Sequence, residues 1–310
     1  MSHSSPVDLH IREPSSSTQS LSPKIKPPPK KSSLNVQFTY SPSDDGTDEN
    51  LLLFLHGLGD TLAPFSNLAK SLKLPQTATL VLQAPLQIPL LDTPAFQWYP
   101  SFDPLTGDLL PNPKPTPALE LLDKVLGVLT AECKWQAGRI HLFGFGQGGS
   151  VGLEGALRWW KEKKVALASV VSISGPLLSF PSSSSAKCPT PVLYFHRPQP
   201  FSPPSKDVNN LSKAFSFVKE LQHAPVGAEG GEAMPRNRDE WEGVMRFWSE
   251  RLSRRQFGEG EAGVYEVLSG MGGAKYDSHI DTARLGGSML CAVLPCLRIT
   301  RSNATDSSES

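Results

Sequence analysis

Along this chain, short unbroken apolar runs alternate with stretches in which apolar residues return every three or four positions. Residues 35–40, NVQFTY, alternate as a half-buried strand does. LLLFLHG at 51–57 opens on an unbroken apolar run, the mark of a strand covered on both faces. TATLVLQAP at 77–85 repeats that signal, further strands are predicted at 139–145, 165–174 and 191–196, and VYEVL at 264–268 reads as the last. Helical periodicity occupies 62–72, 117–133, 147–162, 207–222 and 238–255, with Pro117 suited to the first turn of its helix. Residues 86–115 are Pro-rich, carry FQWYPSFD, and read as a long irregular loop of the functional or mobile kind. Strands alternating with helices predict an α/β domain, a mostly parallel sheet with helices on both faces.

Composition sets the edges of that domain. Hydrophobic residues make up 38% of the 310, enough for a core but low enough to place part of the chain outside it. Residues 1–34 are rich in Ser and Pro, include KIKPPPKK, and read as a disordered tail that cannot bury enough apolar surface to offset its ordering entropy. PPPKK also admits a polyproline ligand or part of a nuclear-import signal, beside the plainer reading of a solvated arm. Residues 274–310 lack periodicity, end in SNATDSSES, and read as a second tail, which leaves 35–273 as the folded domain.

Charge and cysteine narrow the function classes. Thirty Lys and Arg balance thirty Asp and Glu, so no basic footprint for nucleic acid is present. Cys133, Cys188, Cys291 and Cys296 form no CxxC pair and no Cys/His metal spacing, and read as reduced thiols of a cytoplasmic protein, with a nuclear location also open. No metal and no cofactor is expected. The N-terminus shows no signal-peptide h-region, and no apolar run is long enough to span a bilayer.

RIHLFGFGQGGSVGL, 139–153, concentrates the candidate chemistry. Gly144, Gly146 and Gly149 spell the dinucleotide fingerprint G-x-G-x-x-G between a strand and a helix, but the next strand ends in Ser172, Ser174 and Gly175 without the acidic residue that would hold a ribose. A nucleophile elbow, G-x-S-x-G, is the second reading: Gly144 to Gly148 has its frame with Gly146 where the serine belongs. One frame later Ser150 fits the pattern, but it lies one helical turn beyond the tip. A third reading is structural, with Gly148, Gly149, Gly152 and Gly155 on one helix face letting the helix lie close on the sheet.

FLHGLGD at 54–60 followed by GFGQGG at 144–149 resembles the phospholipase/carboxylesterase family of α/β hydrolases, which includes the acyl-protein thioesterases. The likeness continues through the APLQIP segment from Ala84, WYPSFD at 98–103, TPVLYFH at 190–196 and VYEVLSGMG up to Gly272. It implies the α/β-hydrolase fold and hydrolysis of carboxylic esters or thioesters by a Ser-His-Asp triad without cofactor. It also implies an acyl ester or thioester as ligand, a lipidated protein among the candidates, and backbone oxyanion donors at Leu58 and Gln147.

The triad departs from the family pattern at each position. The nucleophile place is Gly146. After His196 the family's glycine is Arg197, Pro200 stands near the acid's place, and the first carboxylate is Asp207. After Gly270-Met271-Gly272 comes Gly273, and the next histidine is His279. Ser150, Asp207 and His279 are the substitute catalytic candidates, and Phe96, Trp98, Tyr99 and Phe102 are candidates for an acyl-chain wall. His56 reads as structural, His141 as a core or surface residue and His223 as a helix end, with His196 ambiguous. The expected function is hydrolysis by descent with the nucleophile vacated; the alternative is a non-catalytic acyl- or protein-binding module on the same fold.

Overall fold

The computed structural model describes residues 9–11, 25–89, 91–103, 106–110, 113–182, 186–197, 205–225, 233–254 and 267–269. Seven strands form the central sheet: β1 (Phe38–Ser41), β2 (Asn50–Leu55), β3 (Thr77–Leu82), β4 (Ile140–Phe145), β5 (Ser169–Ile173), β6 (Val192–His196) and β7 (Val218–Gln222). Their order is β7-β6-β5-β4-β2-β3-β1, every pairing parallel except the antiparallel β1–β3 edge. Every residue of β2, β5 and β6 is buried. That burial explains why their sequences run apolar rather than alternating.

Alternation survives in which helix each side chain meets. Leu51, Leu53, Leu55, Leu142, Val170, Val192 and Tyr194 share one core with α2 (Thr116–Ala131) and α3 (Gln147–Lys163). The interleaved Leu52, Phe54, Phe143, Val171, Ile173 and Phe195 share the other with α1 (Leu62–Leu72) and α5 (Arg238–Ser249). The helices dock by the same logic. α2 buries Ala118, Leu122, Val125, Leu126 and Leu129, spaced three and four apart. α5 starts on an Asn237 cap whose side chain accepts from Glu240 N at 3.0 Å, and buries Trp241, Val244, Phe247 and Trp248. Just beyond α5, Asn50 and Ser253 exchange two hydrogen bonds, Nδ2 to O at 2.8 Å and N to Oδ1 at 2.9 Å.

Three sequence expectations give way. The predicted helix 207–222 is α4 (Ser205–Ala214) followed by β7. Its apolar residues Leu211, Phe215, Val218 and Leu221 keep helical spacing, yet residues 218–222 pair with β6 in register Val218↔Val192. The edge of the sheet overrides local periodicity there. The described end of the predicted last strand, residues 267–268, belongs to a strand Val267–Ser269 that pairs antiparallel with Leu9–Ile11 and not with the central sheet. Residues 25–34, expected within the N-terminal tail, pack against the domain: Leu34 is fully buried, Lys26 N donates to Asp48 Oδ2 at 2.9 Å, and Lys26 Nζ stands over the Trp135 ring. The ordering cost of this short strap is offset by one buried leucine and the contacts of Lys26, which composition averaged over the tail conceals.

Among the described residues no helix is long and apolar enough to cross a membrane. Cys133 and Cys188 are buried free thiols. Cys291, Cys296 and the expected tail 274–310 lie outside the described residues.

Candidate active site

The connection leaving β2 runs to α1 on one face of the sheet, and the one leaving β4 runs to α3 on the other, although β2 and β4 are neighbours. The two loops part at the carboxyl ends of these strands, where open α/β sheets hold their ligands. Register places the relevant residues in a row across this edge. Leu55 stands opposite Gly144, so His56 comes next beside Phe145; Phe145 stands opposite Ile173 and Ile173 opposite Phe195, so Gly146, Ser174 and His196 are the next positions along.

Gly146 forms the tip, with φ 51° and ψ −118° between the end of β4 and the first residue of α3. A side chain at such a φ is strained, and a sharp strand-to-helix tip of this kind is where an elbow holds its nucleophile. Gly146 N donates to Ile173 O at 2.8 Å, and Ser150 N donates to Gly146 O at 3.1 Å. The flanking glycines are steric necessities. A Cβ on Gly144 would run into the Gly148 and Gly149 backbone, and one on Gly148 into the Leu55 and His56 carbonyls. Ser150 lies buried in the first turn of α3, beyond the tip.

The β2 side of the tip is tightly wired. Gly57 O accepts from His56 Nδ1 at 2.8 Å, while His56 Nε2 accepts from Ala84 N at 2.9 Å and from the Gln83 amide at 2.8 Å. Carbonyl on one side and N–H on the other fix a neutral ring with its proton on Nδ1. Burial holds this imidazole below its ordinary value, only partly offset by the Gly57 carbonyl and Asp60. His56 is a structural ring with both nitrogens engaged.

Gln147 ties the loop 98–101 to the elbow. Its Oε1 accepts from Trp98 N at 2.9 Å, and its Nε2 donates to Tyr99 O at 2.9 Å and Ser101 Oγ at 2.6 Å. Trp98 is fully buried and its Nε1 donates to His56 O at 2.8 Å, so it anchors the loop. Tyr99 is buried as well, Phe96 packs partly buried against the core, and Phe102 is exposed opposite an exposed Leu109. Gln147 N, first in α3, has no intrahelical acceptor by construction, and Leu58 follows Gly57 on the facing loop.

On the β6 side the polar groups are engaged elsewhere. His196 Nε2 donates to Glu220 Oε1 at 2.7 Å across the β6–β7 pair. Arg197 is buried and clamps three segments: Nη1 donates to Ala224 O at 2.8 Å, Nη2 to Met234 O at 3.4 Å, and Nη2 pairs with Glu240 Oε2 at 2.6 Å. The Glu240 carboxyl resists ionisation through burial, but hydrogen bonds from Arg197 and Arg236 outweigh that and hold it below the usual range. His223 follows β7 instead of closing a helix, and stacks on Phe195 with centroids 4.8 Å apart. Asp207 sits in α4, where its Oδ2 accepts from the Tyr194 hydroxyl at 3.4 Å. The place of Pro200 and of His279 lies outside the described residues.

His141, the second residue of β4, is buried with Nδ1 on Ser169 Oγ at 2.7 Å, and burial, with Arg139 second, pushes it down to about 3. Among the described residues no three His, Cys, Asp or Glu side chains stand together as a metal site. Sequence reasoning missed the Gln147 side-chain bridge and the His196–Glu220 and Arg197–Glu240 pairs. Arg197 in the family's glycine place was the one visible signal for the last, and its partner lies 43 positions on.

Comparison with known proteins adds to this geometry. The phospholipase/carboxylesterase family model matches residues 37–221. An uncharacterized hydrolase of Mycosarcoma maydis is 41% identical over 221 residues, covering 70% of this chain and 82% of that one. Among solved structures, the acyl-protein thioesterase 2 of Zea mays superposes with a TM-score of 0.53 at 20% identity, over 70% of this chain and all of that one, 100%. Esterase PE8 superposes with a TM-score of 0.55 at 20% identity, over 70% of this chain and 99% of that one. These two likenesses concern the fold.

Proposed function

Since the chain belongs to the phospholipase/carboxylesterase family of hydrolases, we propose that it keeps the family's acyl-ester or acyl-thioester site but lacks the covalent route through it. The observation that carries this reading is Gly146 at the tip of the β4–α3 turn. The covalent route begins with a side-chain oxygen attacking the acyl carbonyl, and a glycine has none to offer. What remains is binding. The donors this reading assigns are Gln147 N, which follows the tip at the start of α3, and Leu58 N on the loop after β2, and backbone donors of this kind are indifferent to side-chain change.

The β6 side supports the same reading. His196 and Arg197 are bound to Glu220 and Glu240, and Asp207 meets Tyr194. None of these contacts orients a histidine toward Gly146. Catalysis left by an oxyanion site alone is roughly 10³–10⁴-fold over water, far short of a triad's rate. The ligand is a carboxylic ester or thioester of an acyl chain, on a small molecule or on an S-acylated protein.

A serine-directed fluorophosphonate and an octanoyl ester test the proposal on the native protein, Gly146→Ser and Ser150→Ala. The native protein is expected to stay unlabelled and to turn over barely above background. Activity confined to Gly146→Ser would mark a vacated but otherwise working site. Labelling of the native protein that Ser150→Ala abolishes would overturn the proposal.

A further inference from the structure

Ser174 directly follows β5 and stands one strand over from the elbow. Phe145 faces Ile173 in the β4–β5 register, so the next pair along is Gly146 and Ser174. Two backbone bonds fix the place: Ile173 O accepts from Gly146 N at 2.8 Å, and Ser174 N donates to Phe195 O at 2.7 Å. The following residue, Gly175, packs so closely that a Cβ on it would strike Gly146 O.

Two features of this serine are unexplained by the fold. Its φ is +56°, in the left-handed region. Asn35, Lys73 and Lys164 share that conformation as helix C-caps, where it is routine, whereas Ser174 closes a strand. Its residue is only 7% exposed, yet its Oγ has no hydrogen-bond partner among the described residues. A buried, unpaired hydroxyl and an unfavourable backbone conformation both carry a stability cost, and such costs gather at ligand sites. Glycine, already used at 144, 146, 148, 149 and 175 around it, would remove both.

We infer that Ser174 is a ligand-binding residue: its hydroxyl donates to the carbonyl-bearing acyl group lodged against Gly146, adding a side-chain donor to the Leu58 and Gln147 backbone pair. This rests on the acyl-site reading above and gives it a side chain that reads the carbonyl. Ser174 is unconnected with the vacated nucleophile in chemistry, since it binds without attacking.

The probes are two small ligands measured by calorimetry on the full chain. One is S-octanoyl-N-acetylcysteamine, a thioester; the other is its S-octyl thioether, which keeps the acetamide but lacks the thioester carbonyl. Ser174→Ala and Ser174→Gly should each bind the thioester about tenfold more weakly, in line with one lost hydrogen bond. Both should bind the thioether as the native protein does. Ser174→Ala should melt no lower than the native protein, and Ser174→Gly higher. Native-like thioester binding in both variants overturns the inference while leaving the acyl site standing. Failure of the native protein to bind the thioester overturns the acyl reading, and the role of Ser174 with it. A clear drop in Tm for Ser174→Ala assigns the hydroxyl to the fold and likewise overturns the inference.

Discussion

The two flanks of the elbow have been treated differently. Toward β2, His56, Gln147 and Trp98 form one connected hydrogen-bonded unit that holds the loops beside Gly146. Toward β6, His196, Arg197 and His223 are all engaged, but with Glu220, Glu240 and the Phe195 ring. On the proposed reading, the contrast separates the parts of the site that the fold itself holds in place from those that it does not. The proposed oxyanion donors are backbone groups placed by side chains the fold needs for its own packing. An acid, a base and a nucleophile are side chains the fold does not need for packing, whereas the described polar groups on the β6 flank are tied into the fold.

Breaking the β6 flank should give the largest effect. Arg197→Ala strands Glu240 in a site where the arginine side chain is 1% exposed and the glutamate 14%. Removing one partner of a buried pair costs about 3–5 kcal/mol, readable by urea denaturation. Arg197→Met combined with Glu240→Gln should recover most of it. Native stability in Arg197→Ala would show that this flank does no structural work, and the contrast would lapse.

Placing a side-chain oxygen at the tip sharpens the comparison from the elbow itself. Gly146→Ser places a Cβ at φ 51°, and should lower stability by about 1–3 kcal/mol whether or not activity returns. A stability unchanged within error would mean that the tip relaxes, and that the elbow is less rigid than the flank beside it.

Acid tests the sheet that carries both flanks. His141 in the folded protein is pushed down to about 3, well below an unfolded imidazole near 6.5. The unfolded state therefore binds the proton more readily. Stability from this group is complete above pH 6.5 and falls as pH drops toward 3, by up to about 1.4 kcal/mol per pH unit. His56 is shifted the same way. Denaturation midpoints followed from pH 7 to 4 should show this slope, and His141→Gln should flatten it.

The smallest expected effect separates burial from distance. Arg246 and Glu242 pair at 2.6 Å, the same length as Arg197 and Glu240, but their side chains are 64% and 51% exposed. Glu242→Gln should change stability by no more than about 0.5 kcal/mol.

Much of the architecture was legible because burial on both faces writes itself as apolar runs. β2, β3, β4 and α1 lie where the patterning places them, and the two glycine motifs mark the neighbouring loops of the site. β7 was not legible, because an edge strand took a segment whose apolar spacing continues that of α4. Nor was the wiring of the site. The Gln147 amide bridges to residues 46 to 49 positions earlier, and neither composition nor period carries such information. Ser174 was noted only as a missing acid, since left-handed φ and an unpaired hydroxyl are properties of the folded chain.

The clasp between Asn50 and Ser253 joins the start of β2 to the turn after α5, 203 positions away. The family model's match ends at residue 221, before α5 and before Ser253, the far half of that clasp. The matched segment and the mechanically joined one therefore have different borders here. A fragment cut at the likeness would bare Phe143 where Trp241 and Trp248 now lean on it, and would expose an oily seam to self-association.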